Sequence, residues 1–364
     1  MKPTETPVFR PTASCIWQAF RSSGKRHLIL TGTRGAGKTT LLHALFPTPV
    51  PGITTHAVPR EAVYLTESAT GVTVQVGRFD PNAPGHENRM TPCPDAFLTV
   101  GVPALERLGQ AEGPWVSIDE IGYLESSCPE YQQAIGALLE KKQVAAVVRK
   151  QPLPFLTGLC RREDVFLVDL DAPYGKLGCV IMASGMGRRF GGNKLMADFL
   201  GQPMIASAIY ATEGIFSRRL VVTRHEDVAA LCRELGIDVL LHRLPLRSDT
   251  VRLGLSAMED ISGCLFCPGD QPLLRQETVA ALALSAVNGS RYIWRPAAGG
   301  SPGAPVLFPA ALFPALLTLP DGTGGGYVIR RHPELVRLLP AADPHELQDA
   351  DNPETLRELE QTTK

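Results

Sequence analysis

Two stretches of the chain place glycines, cations and hydroxyl or carboxylate groups at spacings that can hold phosphate. In the first, Gly32, Thr33, Arg34, Gly35, Ala36, Gly37, Lys38 and Thr39 fit the pattern G-x-x-x-x-G-K-[ST] and run through Thr40 into an apolar helical segment. Glycines let the backbone curl so that successive N–H groups and the following helix N-terminus surround the phosphates of a nucleotide. Lys38 would reach the β and γ phosphates, and Thr39 would set its hydroxyl on a Mg2+ ion bridging them. Downstream, the apolar run from Val116 ends in two carboxylates, Asp119 and Glu120. Asp119 is expected to hold the metal through water. Glu120 is expected to be the general base or water-orienting residue, which makes the reaction hydrolysis rather than transfer to an alcohol.

The second stretch follows the apolar run that reaches Met182, and contains Ala183, Ser184, Gly185, Gly187, Arg189, Gly191 and Lys194. Small residues allow close backbone approach to a nucleotide. Arg189 can fork onto phosphate oxygens, while Lys194 supplies a point charge near a departing pyrophosphate. Further on, the apolar run Cys264 to Cys267 leads to Asp270, the position of a Mg2+ ligand at the carboxyl edge of a parallel sheet.

These residues need strands and helices to bring them together. Short apolar runs bounded by glycine, proline or aspartate alternate with helix-like stretches, which predicts an α/β fold built on parallel sheets. In the first half, strands are expected from His27, Trp115, Val144 and Val165, four in one sheet, with helices after Lys38 and from Tyr131 to Lys141. Residues 80–94, rich in proline, asparagine and glycine, read as an exposed loop. The turn-forming segment from Asp171 to Lys176 places a domain boundary near residue 174, giving domains 1–174 and 175–364. In the second half, strands are expected from Gly178, Arg219, Ile237, Cys264, Arg291 and Pro305, with a helix from Gln276 to Val287.

A chain of 364 residues accommodates two such domains. With 44% hydrophobic and 20% charged residues and a formal charge of -1, it is an ordinary globular protein without the positive field that attracts nucleic acid. Its eight cysteines are scattered and read as reduced thiols, with Cys264 and Cys267 in a buried strand. The eight histidines do not cluster, and His225, His242, His332 and His345 read as surface positions. The first residues lack a signal-peptide pattern, and no apolar run approaches the ~18 residues of a membrane span, so a cytoplasmic location is expected.

The stretch Asp119 to Glu125 resembles the acidic signature of a family of small P-loop nucleoside-triphosphatases known from thermophiles, over roughly residues 25–172. That resemblance implies a P-loop α/β/α sandwich that slowly hydrolyses several nucleoside triphosphates and looks like the nucleotide kinases. The family's Thr-x-Glu stretch is absent, with Gly52 to His56 in its place. The loop from Gly185 to Lys194, together with Asp270, resembles the molybdenum cofactor nucleotidyltransferases. Three later stretches, at Arg247 to Gly254, Gly303 to Phe308 and Asp349 to Leu356, extend the likeness over about residues 177–360.

This second resemblance implies a Rossmann-like nucleotidyltransferase fold of the nucleotide-diphospho-sugar transferase type. It implies Mg2+ on Asp270 and attack by the terminal phosphate of molybdopterin on the α-phosphorus of a nucleoside triphosphate, with release of pyrophosphate. Cytidylyltransferases of that family tend to carry alanine where guanylyltransferases carry glycine; Ser184 stands there and leans toward CTP, and Gly303 to Phe308 looks like the branch serving molybdenum hydroxylases. The alternatives are guanylyl transfer from GTP, a sugar-phosphate nucleotidyltransferase, or a nucleotide-switched cofactor carrier. Gly187, Phe190 and Asp321 depart from the family pattern, and Asp351 reads either as a further group near the metal or as a helix cap.

Overall fold

The computed structural model describes residues 7–82, 89–185, 190 and 192–362. They form two compact units, one of residues 24–173 and one joining the segment through Ser23 to Tyr174 and beyond. The helix Ala13–Ser23 therefore belongs to the carboxy-terminal unit, not to the domain 1–174 expected from the sequence. Its face of Cys15, Ile16, Ala19 and Phe20 is buried, and it packs on the helix Gln276–Asn288. Gln18 donates to Pro340 O at 2.7 Å. An amphipathic face dictates that a helix must pack, but not which partner it takes.

In the P-loop unit the strands are β1 (His27–Thr31), β2 (Gly52–Val58), β3 (Ala62–Glu67), β4 (Thr73–Phe79), β5 (Met90–Pro92), β6 (Trp115–Ile121), β7 (Gln143–Val148) and β8 (Val165–Asp169). They form one sheet in the order β5-β4-β3-β2-β6-β7-β1-β8. From β2 to β8 the pairing is parallel; β3, β4 and β5 extend it antiparallel. The sheet is thus wider than the four strands expected, and β5 lies within the segment read as a loop. The fully buried β1 and nearly buried β7 show the continuous apolar runs that betray a strand covered on both faces. By contrast β2 exposes Thr54 and His56, and so gives a weak signal. Helices Val102–Gln110 and Pro129–Lys141 bury Leu105, Leu108, Ile135 and Leu138 in one core with Val116, Ile118, Val144 and Ala146.

In the carboxy-terminal unit the strands are β9 (Leu177–Ala183), β10 (Asp198–Phe199), β11 (Gln202–Pro203), β12 (Arg218–Thr223), β13 (Asp238–Leu241), β14 (Gly263–Pro268), β15 (Ile293–Ala298), β16 (Ser301–Pro302), β17 (Val306–Pro309) and β18 (Val336–Pro340). The main sheet runs β13-β12-β9-β14-β17-β15-β16, with β18 beside β15, while β10 and β11 pair apart. Strands β13, β12, β9 and β14 are parallel, and β17 is antiparallel to its neighbours. Cys264 and Cys267 are buried free thiols of β14, as expected. Both units are α/β, and in both a candidate phosphate-binding stretch begins at the carboxyl end of a parallel strand, after Thr31 of β1 and after Ala183 of β9. Among the described residues no helix is long and apolar enough to cross a membrane.

Two candidate nucleotide sites

The first loop leaves β1 and enters the helix Lys38–Leu45 through Gly35 and Gly37, whose φ values of 82° and 88° only glycine adopts without strain. Lys38 is folded over the loop, its Nζ donating to the carbonyls of Gly32 at 3.0 Å and Thr33 at 2.8 Å. Thr39 Oγ1 donates to Asp119 Oδ1 at 3.1 Å. Burial pushes the Asp119 carboxyl above the usual range, and the donation from Thr39 works against that. A hydroxyl and a half-desolvated carboxylate side by side are the hard oxygen donors that suit Mg2+.

The loop is also tied to the end of β8. Asp171 accepts from Thr33 N at 3.0 Å and Thr33 Oγ1 at 2.9 Å, and Lys150 lies 2.9 Å from it. The Thr33 amide first, then Lys150, holds the Asp171 carboxyl down at about 2.

Glu120, at the end of β6, is ion-paired with Arg149, one residue beyond β7. Arg149 crosses Gly122, where a Cβ would lie 3.0 Å from Arg149 Cδ. Next to them Glu125 is buried. Its Oε2 accepts from Gly122 N at 2.7 Å, while Oε1 has no hydrogen-bond partner among the described residues. Burial pushes this carboxyl up to about 7. These groups line a cleft of about 1210 Å³, which also takes in Thr40 and every residue of the loop from Gly32 to Thr39 except Ala36. Asp119 meets this cleft through Thr39. Arg149 and Glu125 were not anticipated. Glu125 belongs to the acidic signature, whereas nothing in the sequence singles out Arg149.

At the second loop, Ala183 closes β9 and Ser184 Oγ donates to Val222 O at 3.1 Å. Ser184 Oγ is also 2.8 Å from His242 Nε2, and Leu244 N donates to His242 Nδ1 at 3.2 Å. With Nδ1 accepting, the proton of a neutral imidazole sits on Nε2, so Ser184 Oγ accepts it. Burial lowers the His242 pKa and favours that neutral form. His242 is only 8% exposed, and His225 Nε2 lies 2.8 Å from Gly185 O. The expectation that both histidines are surface residues is therefore corrected for His242, and His225 is half-buried against the loop. Arg189, Gly187 and Gly191 lie outside the described residues.

Lys194 opens a short 3-10 turn and points into a nest of acids. Its Nζ lies 2.5 Å from Asp270 Oδ2, 3.3 Å from Asp351 Oδ1 and 3.4 Å from Ala350 O. Burial alone would lower the Lys194 pKa, but Asp270 and then Asp351 outweigh it and hold the ammonium charged. Ala350 N donates to Asp270 O at 2.9 Å, and Gln271 Nε2 to Asp349 Oδ1 at 3.0 Å, which fastens residues 349–351 to the end of β14. Burial, then the Asp270 charge, raises the Asp349 carboxyl. Asp351 caps no helix. Asn352 caps the helix Pro353–Gln361 by accepting from Thr355 N at 2.8 Å. Asp321 is engaged by Arg252 at 3.1 Å, and Arg252 also holds Asp249 at 3.0 Å. Asp349 opens the stretch Asp349 to Leu356 noted in the sequence, where it was given no role of its own.

Comparison with known proteins agrees with two separate domains. Residues 27–173 match the family model of an NTPase, and residues 179–336 that of the MobA-like NTP transferase domain. Over 113 residues the chain is 32% identical to a 2-C-methyl-D-erythritol 4-phosphate cytidylyltransferase of Dehalococcoides mccartyi, a match covering 29% of this chain and 50% of that protein. The chain thus spans about half the length of this curated relative. A nucleotidyl transferase structure from Methanothermobacter thermautotrophicus is 21% identical, covering 52% of this chain and 100% of its own, with a TM-score of 0.43. THEP1 from the hyperthermophile Aquifex aeolicus is 20% identical, covering 40% of this chain and 89% of its own, with a TM-score of 0.35.

Proposed function

The chain joins an NTPase domain to a MobA-like NTP transferase domain, and from that premise we propose that it is a bifunctional enzyme of molybdenum cofactor maturation. Its carboxy-terminal unit transfers CMP from CTP to molybdopterin and releases pyrophosphate. Its P-loop unit hydrolyses a nucleoside triphosphate. The observation that carries the transferase reading is Lys194 held between Asp270 and Asp351, a largely buried ammonium paired with two carboxylates at the carboxyl edge of the sheet.

The reaction needs no covalent enzyme intermediate. A terminal phosphate oxygen of molybdopterin attacks the α-phosphorus, an O–P bond forms, the α–β bridging P–O bond breaks, and pyrophosphate leaves. Asp270, with Asp351 beside it, offers the hard oxygen donors that Mg2+ requires, and that ion when bound would neutralise triphosphate charge. Lys194 exchanges its carboxylates for the departing pyrophosphate, so its charge acts where negative charge accumulates. Arg189 is assigned from the sequence to the same phosphates. Ser184, its hydrogen already given to Val222 O, retains an acceptor for a base amino group. The local identity to a cytidylyltransferase supports CTP as the nucleotide.

In the P-loop unit, Lys38 leaves the carbonyls of Gly32 and Thr33 for the β and γ phosphates. Thr39 and Asp119 would hold a second Mg2+, and Glu120 would orient the water. The cytoplasm, where molybdenum hydroxylase clients would be loaded, is the proposed location.

One observation favours a second reading, transfer to a sugar or alditol phosphate, because the curated relative is named for such an acceptor. Pyrophosphate release from CTP, GTP and ATP, measured with Lys38→Ala protein and Mg2+ in the presence of molybdopterin or methylerythritol phosphate, separates the two. Release that depends on molybdopterin and prefers CTP is expected. Release driven by the alditol phosphate, or no acceptor-dependent release, overturns the proposal.

A further inference from the structure

Six described cations line the first cleft, Arg34 and Arg60 among them, and they differ in what already holds them. Lys150 sits between Asp169 and Asp171 at 2.7 and 2.9 Å, Lys38 is folded on two carbonyls, and Arg89 donates to Pro81 O at 3.0 Å. Arg149 is held instead by the carboxylate that hydrolysis needs. Its Nε meets Glu120 Oε1, and its Nη2 lies 3.5 Å from Glu120 Oε2. Its side chain is 30% exposed, with its stem over Gly122 and the buried acid Glu125 nearby.

Two requirements conflict in that arrangement. A carboxylate that spends lone pairs on a guanidinium has fewer left for water and is held in the direction of its partner, so Glu120 as it stands is not free to turn toward the γ-phosphate. The guanidinium, meanwhile, is the group best shaped to take charge from a transferring phosphoryl. It stands in the same cleft as Lys38 and Thr39, beside the strand end that carries Asp119. Opening the pair satisfies both requirements at once.

We propose that Arg149 is a catalytic residue of the P-loop unit: Glu120 stores it in the free protein, and a bound triphosphate draws its guanidinium onto the γ-phosphate, which releases Glu120 to the attacking water. In the step itself the water oxygen bonds to the γ-phosphorus, the β–γ bridging P–O bond breaks, the nucleoside diphosphate leaves, and Glu120 takes the water proton. The inference rests on the reading of Gly32 to Thr39 as a nucleotide loop.

The test is binding of ADP, GDP or CDP, whichever the parent takes, with and without aluminium fluoride as a mimic of the moving phosphoryl. The parent is expected to bind the diphosphate more tightly when aluminium fluoride is present. Arg149→Ala should keep diphosphate affinity within about threefold but lose that tightening. Its kcat should fall about a hundredfold or more with KM little changed, and free guanidinium should restore part of it. Arg149→Lys, which keeps the charge but not the fork, serves if the alanine variant does not fold, and should lose most of the tightening. Parental tightening in whichever variant folds overturns the proposal, since a residue that only neutralised Glu120 would leave it intact. A parent that binds no diphosphate at all would instead sink the nucleotide reading of the loop.

Discussion

Glu125 shows how one side chain can be read in the sequence as part of a motif and still carry a property that only the fold creates. Its place six residues after Asp119 is visible in the sequence, but its burial and the donation from Gly122 N are not. The carboxyl is held at about 7 by burial, against an ordinary value of 4.5. Between those values the folded protein keeps a proton that the unfolded chain has lost. Stability is therefore fully present below pH 4.5 and is lost as pH rises through about 7. Glu125→Gln removes the titration, so the fall in urea midpoint between pH 5 and pH 8 should be smaller than in the parent. An identical fall in both proteins would mean that the carboxyl ionises normally. His242 and Arg149 were less legible still: each acts on a residue far away in sequence, through a hydrogen bond that spacing cannot reveal.

At the scale of elements, the strands at His27, Val144 and Val165 were readable because strands covered on both faces carry near-continuous apolar runs, and the one at Trp115 because its apolar run ends in two carboxylates. Strands β2 to β5 were missed for the complementary reason, since half-exposed strands interleave polar residues and their antiparallel pairing leaves no crossover helix to mark them. The helix Gln276–Asn288 is an intermediate case. Every residue from Thr278 to Ala286 is buried, so the helix must be covered on its outer face as well as by the sheet. The pattern announces a cover without naming it, and the cover is Ala13–Ser23. Ile16, fully buried, should therefore matter to the carboxy-terminal unit although it precedes the P-loop in sequence. Ile16→Ala is expected to cost that unit about 2–5 kcal/mol. In urea unfolding of the full chain, the transition that moves should be the one a nucleoside diphosphate bound at the P-loop does not stabilise. Movement of the diphosphate-stabilised transition instead would assign the helix to the other unit.

For the whole molecule, composition and charge support only the expectation of a globular chain without a global positive field; the two proposed functions came from two local patterns. Each site is assembled from its own unit. Lys38, Thr39, Asp119, Glu120 and Arg149 all fall within residues 24–173, while Ser184, Lys194, Asp270 and Asp351 all fall beyond Tyr174. Coupling between them would need two global states with different affinities for each ligand. The expected result is a clean separation. Lys38→Ala should abolish triphosphate hydrolysis and leave acceptor-dependent pyrophosphate release within about twofold. Asp270→Ala should cut that release by about two orders of magnitude or more, the scale of a lost electrostatic contact to a reacting phosphate, and leave hydrolysis unchanged. Both rates are read from the same preparations, as orthophosphate and pyrophosphate. If Lys38→Ala slows pyrophosphate release tenfold or more, the two sites are linked, and hydrolysis in the P-loop unit becomes a step in the work of the transferase.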